Sequence, residues 1–142
     1  MKRLFLSMLV ALMALASWAV NNDQYTIIVS LDGFRWDYCE AYNTPFLNSM
    51  AEKGVKAVMS PSFPSKTFPN HYTLATGLVP DHHGIIANSF RIRATGKKYS
   101  LGNAETRSDT RNYGGDPIWL TAKCQGMTTA TVYWVGSDIP IK

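Results

Sequence analysis

Tyr25-Thr26-Ile27-Ile28-Val29-Ser30-Leu31, followed at once by Asp32-Gly33, is the stretch on which the fold class turns. Its residues are β-branched and apolar with almost no alternation, the pattern of a strand buried on both faces of a parallel sheet. Asp32-Gly33 ends it. Downstream, Thr44-Pro45 offers an N-cap with proline at the first helical position. Phe46, Leu47, Met50 and Ala51 give that helix one apolar side, and Gly54 closes it. Val55 to Met59 is a second short strand candidate. After a proline-punctuated loop from Ser60 to Pro64, Thr67 is expected to cap a helix running to about Thr76, with Pro69 in its first turn and Gly77 at its end. Val79 to Gly84 reads as a loop, and Asn88 to Arg93 with Tyr99 to Leu101 as a hairpin around Thr95-Gly96. The polar stretch from Gly102 to Gly115 reads as irregular. Asp116-Pro117 repeats the helix start, Gly126 the stop, and Thr128 to Val135 is again strand-like.

Strands alternating with capped helices predict an α/β fold with a mainly parallel sheet flanked by helices. In such folds the site gathers at the C-terminal ends of the strands. Asp32 follows the first predicted strand and Thr67 opens the helix after the second, so the pattern brings the two together.

The N-terminus carries a targeting pattern. Lys2 and Arg3 precede a largely apolar run from Leu4 to Ala16, and Ser17 and Ala19 are spaced for cleavage after Ala19. A membrane anchor is the alternative, but Leu4 to Val20 is only marginally long against the ~17–25 apolar residues a span needs. Polar Asn21, Asn22 and Asp23 follow directly. Residues 1–19 are therefore read as a signal peptide and the product as exported, periplasmic or secreted, with no stable membrane span after cleavage.

Bulk properties exclude other classes. With 142 residues, 46% hydrophobic and 17% charged, the chain is globular in composition. The net charge of +4 includes Lys2 and Arg3; removing these two from the 14 basic residues leaves 12 against 10 acidic ones. Lys and Arg are scattered, so no phosphate-tracking stripe for nucleic acid is visible. Export permits a disulfide between Cys39 and Cys124, but their separation does not show that they meet, and two separate thiols remain the other reading. No CxxC or Cys/His ligand spacing is present, which excludes a finger-type zinc site.

Two residues stand out chemically. An aspartate at a strand's end followed by glycine, as in Asp32-Gly33, turns a carboxylate toward a cleft and suits a cation, although Asp-Gly is also an ordinary turn. Thr67 at a helix N-terminus faces the positive end of the dipole, where backbone N–H groups hold a phosphate before the hydroxyl. The same position suits a plain N-cap.

The joint pattern is more specific. Ser30-Leu31-Asp32-Gly33-Phe34-Arg35 and Pro64-Ser65-Lys66-Thr67-Phe68-Pro69-Asn70-His71 resemble the nucleotide pyrophosphatase/phosphodiesterase family of the alkaline phosphatase superfamily. His83 to Asn88, Gly114-Gly115-Asp116-Pro117-Ile118-Trp119 and Tyr133 to Asp138 extend the resemblance in family order, over essentially all of residues 24–142. It implies an alkaline phosphatase-like fold, incomplete in this chain, with residues 24–142 as the N-terminal part of a phosphodiesterase catalytic domain. It further implies zinc-dependent hydrolysis of phosphodiester or pyrophosphate bonds in nucleotides or related small molecules, with two Zn2+ ions. Asp32 and Thr67 would be metal ligands, and Thr67 the nucleophile that forms a covalent intermediate. Asn88 would donate to a phosphate oxygen, Phe68 would stack on a nucleobase, and Lys66 would attract the anion. His71 is read as structural. Adjacent His82 and His83 would point apart in an extended loop and not share an ion.

Two zinc ions need more ligands than Asp32 and Thr67. The chain is therefore expected to be a truncated product, inactive alone and carrying about the first third of a catalytic domain. The run Arg91-Ile92-Arg93 departs from the acidic residue that family members often place there, which bears on substrate preference. Two alternatives stand beside this reading. Ser62-Phe63-Pro64-Ser65-Lys66 resembles the sulfatase signature with lysine in place of arginine, and an exported binding module or inactive remnant would need no chemistry at all.

Overall fold

The computed structural model describes residues 25–139. The chain divides into two compact units, residues 1–30 and 31–142. The proposed signal peptide, residues 1–19, lies outside the described residues. In the first unit, residues 25–30 belong to no helix or ladder, and Ile27 and Val29 are exposed.

The second unit contains short helices α1 (Tyr38–Ala41) and α2 (Pro45–Lys53), then α3 (Thr67–Thr76) and α4 (Pro80–His83). Next come strands β1 (Ser89–Arg91) and β2 (Lys98–Ser100), α5 (Ala104–Arg107), a 3₁₀ turn over Thr110–Asn112, and α6 (Ile118–Cys124). β1 and β2 pair antiparallel with Phe90 opposite Tyr99, the hairpin expected around Thr95-Gly96. It is an α/β piece.

The expected parallel strands are absent among the described residues. Residues 25–31, 55–59 and 128–135 are apolar and extended or irregular, but none has a ladder partner. A strand exists only through hydrogen bonds to a neighbour, and composition does not supply the neighbour.

Helix punctuation is met more closely. α2 starts at Pro45 after Thr44 and ends at Gly54, although the Thr44 side chain makes no capping bond. α3 ends at Gly77, whose φ of 71° provides the left-handed stop. Its cap position is Lys66, so Thr67 is the first helical residue and not the cap. Residues 79–84, expected as a loop, hold α4, which has Pro80 at its start and Gly84 at φ 84° after its end. The segment 102–115 is likewise not wholly irregular, since the side chains of Asn103 and Asp109 cap α5 and the 3₁₀ turn. α6 begins one residue later than expected, with Pro117 at its cap. Cys39 and Cys124 are free thiols.

The core is aromatic and lies against α3. Tyr72, Ala75, Ile85, Tyr99, Trp119 and Val135 are buried, and Phe68, Phe90, Tyr113 and Trp134 pack on them. Full burial of each large side chain contributes on the order of 2 kcal/mol. Phe90 stacks on Tyr99 at 4.7 Å between ring centroids, and Tyr72 meets Tyr113 edge-on at 5.2 Å. The Tyr99 and Tyr113 hydroxyls bond at 2.9 Å, and Tyr113 donates on to the Arg107 carbonyl at 2.7 Å. Burial pushes both phenols up, and that of Tyr72 to about 12, so all three stay neutral. The Gly114-Gly115 pair lets the chain close on α4. Gly114 N–H donates to the His83 carbonyl at 2.8 Å, and a Cβ on Gly114 would lie 2.9 Å from the His82 carbonyl oxygen.

Candidate active site

The site is built at the N-terminal end of α3. Thr67, half-buried, donates its hydroxyl to Oδ2 of Asp32 at 3.1 Å, joining residues 35 positions apart. Two oxygen donors expected to converge thus do so. Asp32 is exposed and sits in the turn with Gly33. That glycine's φ of 67° is a left-handed conformation that a side chain would strain.

Asn88 reaches the same helix end. Its Oδ1 accepts the Phe68 N–H at 3.0 Å. A backbone N–H only donates, so this bond fixes the amide's orientation and leaves the Asn88 NH2 group without a partner among the described residues. The N-terminus of α3 is therefore a narrower anion cradle than a bare helix end. Phe68 N–H is taken by Asn88, and Pro69 has none. The Thr67 N–H and the Asn88 NH2 are the donors left without partners there.

The Phe68 ring is half-buried, edge-on to Tyr99 with centroids 6.5 Å apart, so part of it belongs to the core. Lys66 is exposed at the cap position, and its side chain makes no hydrogen bond among the described residues. His71 donates Nδ1–H to the Thr67 carbonyl at 2.8 Å, and the Trp134 indole donates to the His71 carbonyl at 2.9 Å. These bonds brace the helix's first turn.

His82 and His83 do separate as expected, but in a helix. His82 is exposed, while His83 is fully buried against the Tyr72 ring at 5.1 Å. His83 Nδ1 accepts the Ile85 N–H at 3.1 Å, so Nε2 carries the proton and donates to Thr73 Oγ1 at 3.0 Å. Thr73 then bonds Ser62 Oγ at 3.3 Å, and Ser62 Oγ donates to Asn70 Oδ1 at 3.1 Å. Sequence reasoning did not identify this chain. Its one sequence signal was Asn70, a weak helix former placed four residues into a helix.

Burial pushes the His83 pKa down. Below the unfolded value of about 6.5 the unfolded chain binds a proton that the folded chain refuses. His83 therefore stabilises the fold fully above about pH 6.5, and that contribution is lost as pH falls through the lower folded value. Urea midpoints are expected to fall on acidification across this window, and the fall should shrink in His83→Gln. An equal slope in both proteins would contradict this assignment.

Asp32 and Thr67 suit part of one cation's coordination shell. Among the described residues no three His, Cys, Asp or Glu side chains gather to hold an ion, so a complete site is not formed by them. No described helix is long and apolar enough to cross a membrane.

Residues 26–142 match the family described as type I phosphodiesterase / nucleotide pyrophosphatase. The chain belongs to this family. Bovine ectonucleotide pyrophosphatase/phosphodiesterase family member 3 is 42% identical over 118 residues, 81% of this chain and 13% of that protein. Venom phosphodiesterase 2 of Crotalus adamanteus is 42% identical over 118 residues, 81% of this chain and 14% of that protein. Murine ectonucleotide pyrophosphatase/phosphodiesterase 5, as an inactive threonine-to-alanine variant in complex with AMP, superposes with a TM-score of 0.75 at 36% identity. That match covers 84% of this chain and 32% of the murine one. The chain thus spans about a third or less of each of these relatives.

Proposed function

We propose that residues 24–142 form the N-terminal part of a catalytic domain hydrolysing phosphodiester or pyrophosphate bonds in nucleotides, with Thr67 as nucleophile. The observation that carries the proposal is the 3.1 Å contact between Thr67 Oγ1 and Asp32 Oδ2, beside an Asn88 amide held to the next residue of the helix. The hydroxyl proton points to Asp32, which leaves the oxygen's lone pairs for an incoming phosphorus. A bond from Thr67 Oγ1 to phosphorus forms while the bond to the leaving oxygen breaks, and that oxygen departs with the proton the hydroxyl gives up. Water then cleaves the threonine–phosphorus bond and restores the hydroxyl. The Asn88 NH2 and the Thr67 N–H donate to the phosphate oxygens as charge builds on them.

Asp32 and Thr67 would together contribute ligands to one of two zinc ions, whose chemistry is to lower the pKa of the hydroxyl. The exposed part of the Phe68 ring would cover a nucleobase, and Lys66 would draw the anion toward the helix end. The AMP complex of the murine relative, and its inactivity on losing a threonine, support a nucleotide substrate and a threonine nucleophile here. The names of the bovine and rattlesnake relatives, an ectoenzyme and a venom enzyme, support export, for which residues 1–19 would serve as signal peptide.

The sulfatase-like alternative would place the chemistry on Ser62. Its hydroxyl is instead engaged by Asn70 and Thr73. In the full-length protein Ser62→Ala is expected to leave nucleotide phosphodiester turnover within about threefold of wild type while costing about 1 kcal/mol of stability. Complete loss of turnover with an intact fold would transfer the nucleophile's role to Ser62.

A further inference from the structure

Asn70 is the most heavily committed polar side chain near the site, and nothing in the proposed chemistry uses it. Its Nδ2, with two hydrogens to donate, lies within hydrogen-bond distance of three carbonyls, those of Pro64 and Lys66 at 3.0 Å each and of Ser62 at 3.3 Å, so one proton is shared. Its Oδ1 accepts from the Ser62 N–H at 2.8 Å and the Ser62 hydroxyl at 3.1 Å. One amide therefore holds both ends of the loop 62–66, which runs directly into Thr67. Donor and acceptor sides are both required, because the loop offers carbonyls and an N–H together.

We propose that Asn70 is a positioning residue for the nucleophile: it clamps the 62–66 loop so that Thr67 stands at a fixed height against Asp32 and Asn88. The inference rests on Thr67 being the nucleophile. The geometry favours a local clamp over a merely structural bond. Asn70 lies one helical turn beyond the Lys66–Thr67 junction, and its backbone N–H also bonds the Lys66 carbonyl at 3.2 Å. Without the side chain, Lys66 keeps its helical bond, Ser62 keeps only its bond to Thr73 and Pro64 only the Lys66 N–H at 2.7 Å, so the loop loses the one group that ties its two ends together. A displacement of about 1 Å at a reacting atom suffices to slow chemistry about a hundredfold. The rest of the chain, Thr73 and His83, touches the loop only through Ser62 and lies farther along the relay.

The test is steady-state kinetics of the full-length protein on a chromogenic nucleotide phosphodiester, with thermal melts of each variant. Asn70→Ala is expected to lower kcat at least 30-fold with KM within threefold of wild type. Asn70→Ser, which keeps a short donor toward Lys66, should fall between and provides the comparison if the alanine variant does not fold. Thr73→Val removes the distal part of the relay and should lower the melting temperature while keeping kcat within threefold. A folded Asn70 variant with kcat within threefold of wild type overturns the proposal, as does an equal kcat loss in Thr73→Val. Thr67→Ala is run alongside: if it stays active, the assignment of the nucleophile has failed, and not the clamp alone.

Discussion

Thr67→Ala is expected to abolish nucleotide phosphodiester hydrolysis by the full-length protein while leaving it folded. The hydroxyl makes one hydrogen bond, to an exposed carboxylate, and Thr67 is the first residue of α3 and not its cap. Its loss should cost no more than about 1 kcal/mol, small against a typical domain stability. The catalytic loss is of another order, because the bond to phosphorus has no second oxygen to form through. Ser62 is occupied by Asn70 and Thr73, and Ser65 lies in the loop ahead of the helix. Thr67→Ser should retain measurable turnover, since the oxygen survives and only the methyl is lost. Melting curves and kcat on the same preparations check both halves of this expectation.

Asn88→Ala is expected to lower kcat by about 10²–10³-fold, the usual cost of removing one donor to a developing oxyanion. The structure adds a sharper comparison, because the two ends of this amide do different things. Oδ1 holds the Phe68 N–H, and the NH2 has no partner among the described residues and is the donor proposed to meet the phosphate. Asn88→Asp keeps the acceptor and places a negative charge at a helix N-terminus, which favours the fold. It also removes the donor and sets that charge against a phosphate. This variant should therefore match or exceed wild type in melting temperature and fall at least as far as Asn88→Ala in kcat. Activity in Asn88→Asp near wild type would show that the NH2 group has no part in the reaction.

What could be read from the residues depended on how local the cause was. The helix Thr67–Thr76 and the hairpin pairing Phe90 with Tyr99 were legible because proline, glycine and turn residues act within a few positions. α4 carried the same marks, Pro80 and Gly84, in a stretch short enough to pass for a loop. The segments 25–31, 55–59 and 128–135 were not settled this way, since a strand is a relation between segments and composition describes only one of them. The site divides likewise. Asp32 and Thr67 do meet, but the expectation rested on strands 25–31 and 55–59 that the described residues do not form, and family resemblance brought in Asn88. The burial of His83 and the direction of its relay to Asn70 depend on tertiary packing that no single stretch encodes.

The proposed reaction requires a covalent bond between Thr67 and the substrate's phosphorus. It is tested most directly by acid-quenching the full-length protein during turnover of a nucleotide substrate and mapping the adduct by peptide mass spectrometry. The expected result is a nucleotidyl group on Thr67, absent from Thr67→Ala. An adduct on Ser62 or Ser65 instead, or an adduct of unchanged amount in Thr67→Ala, would contradict it.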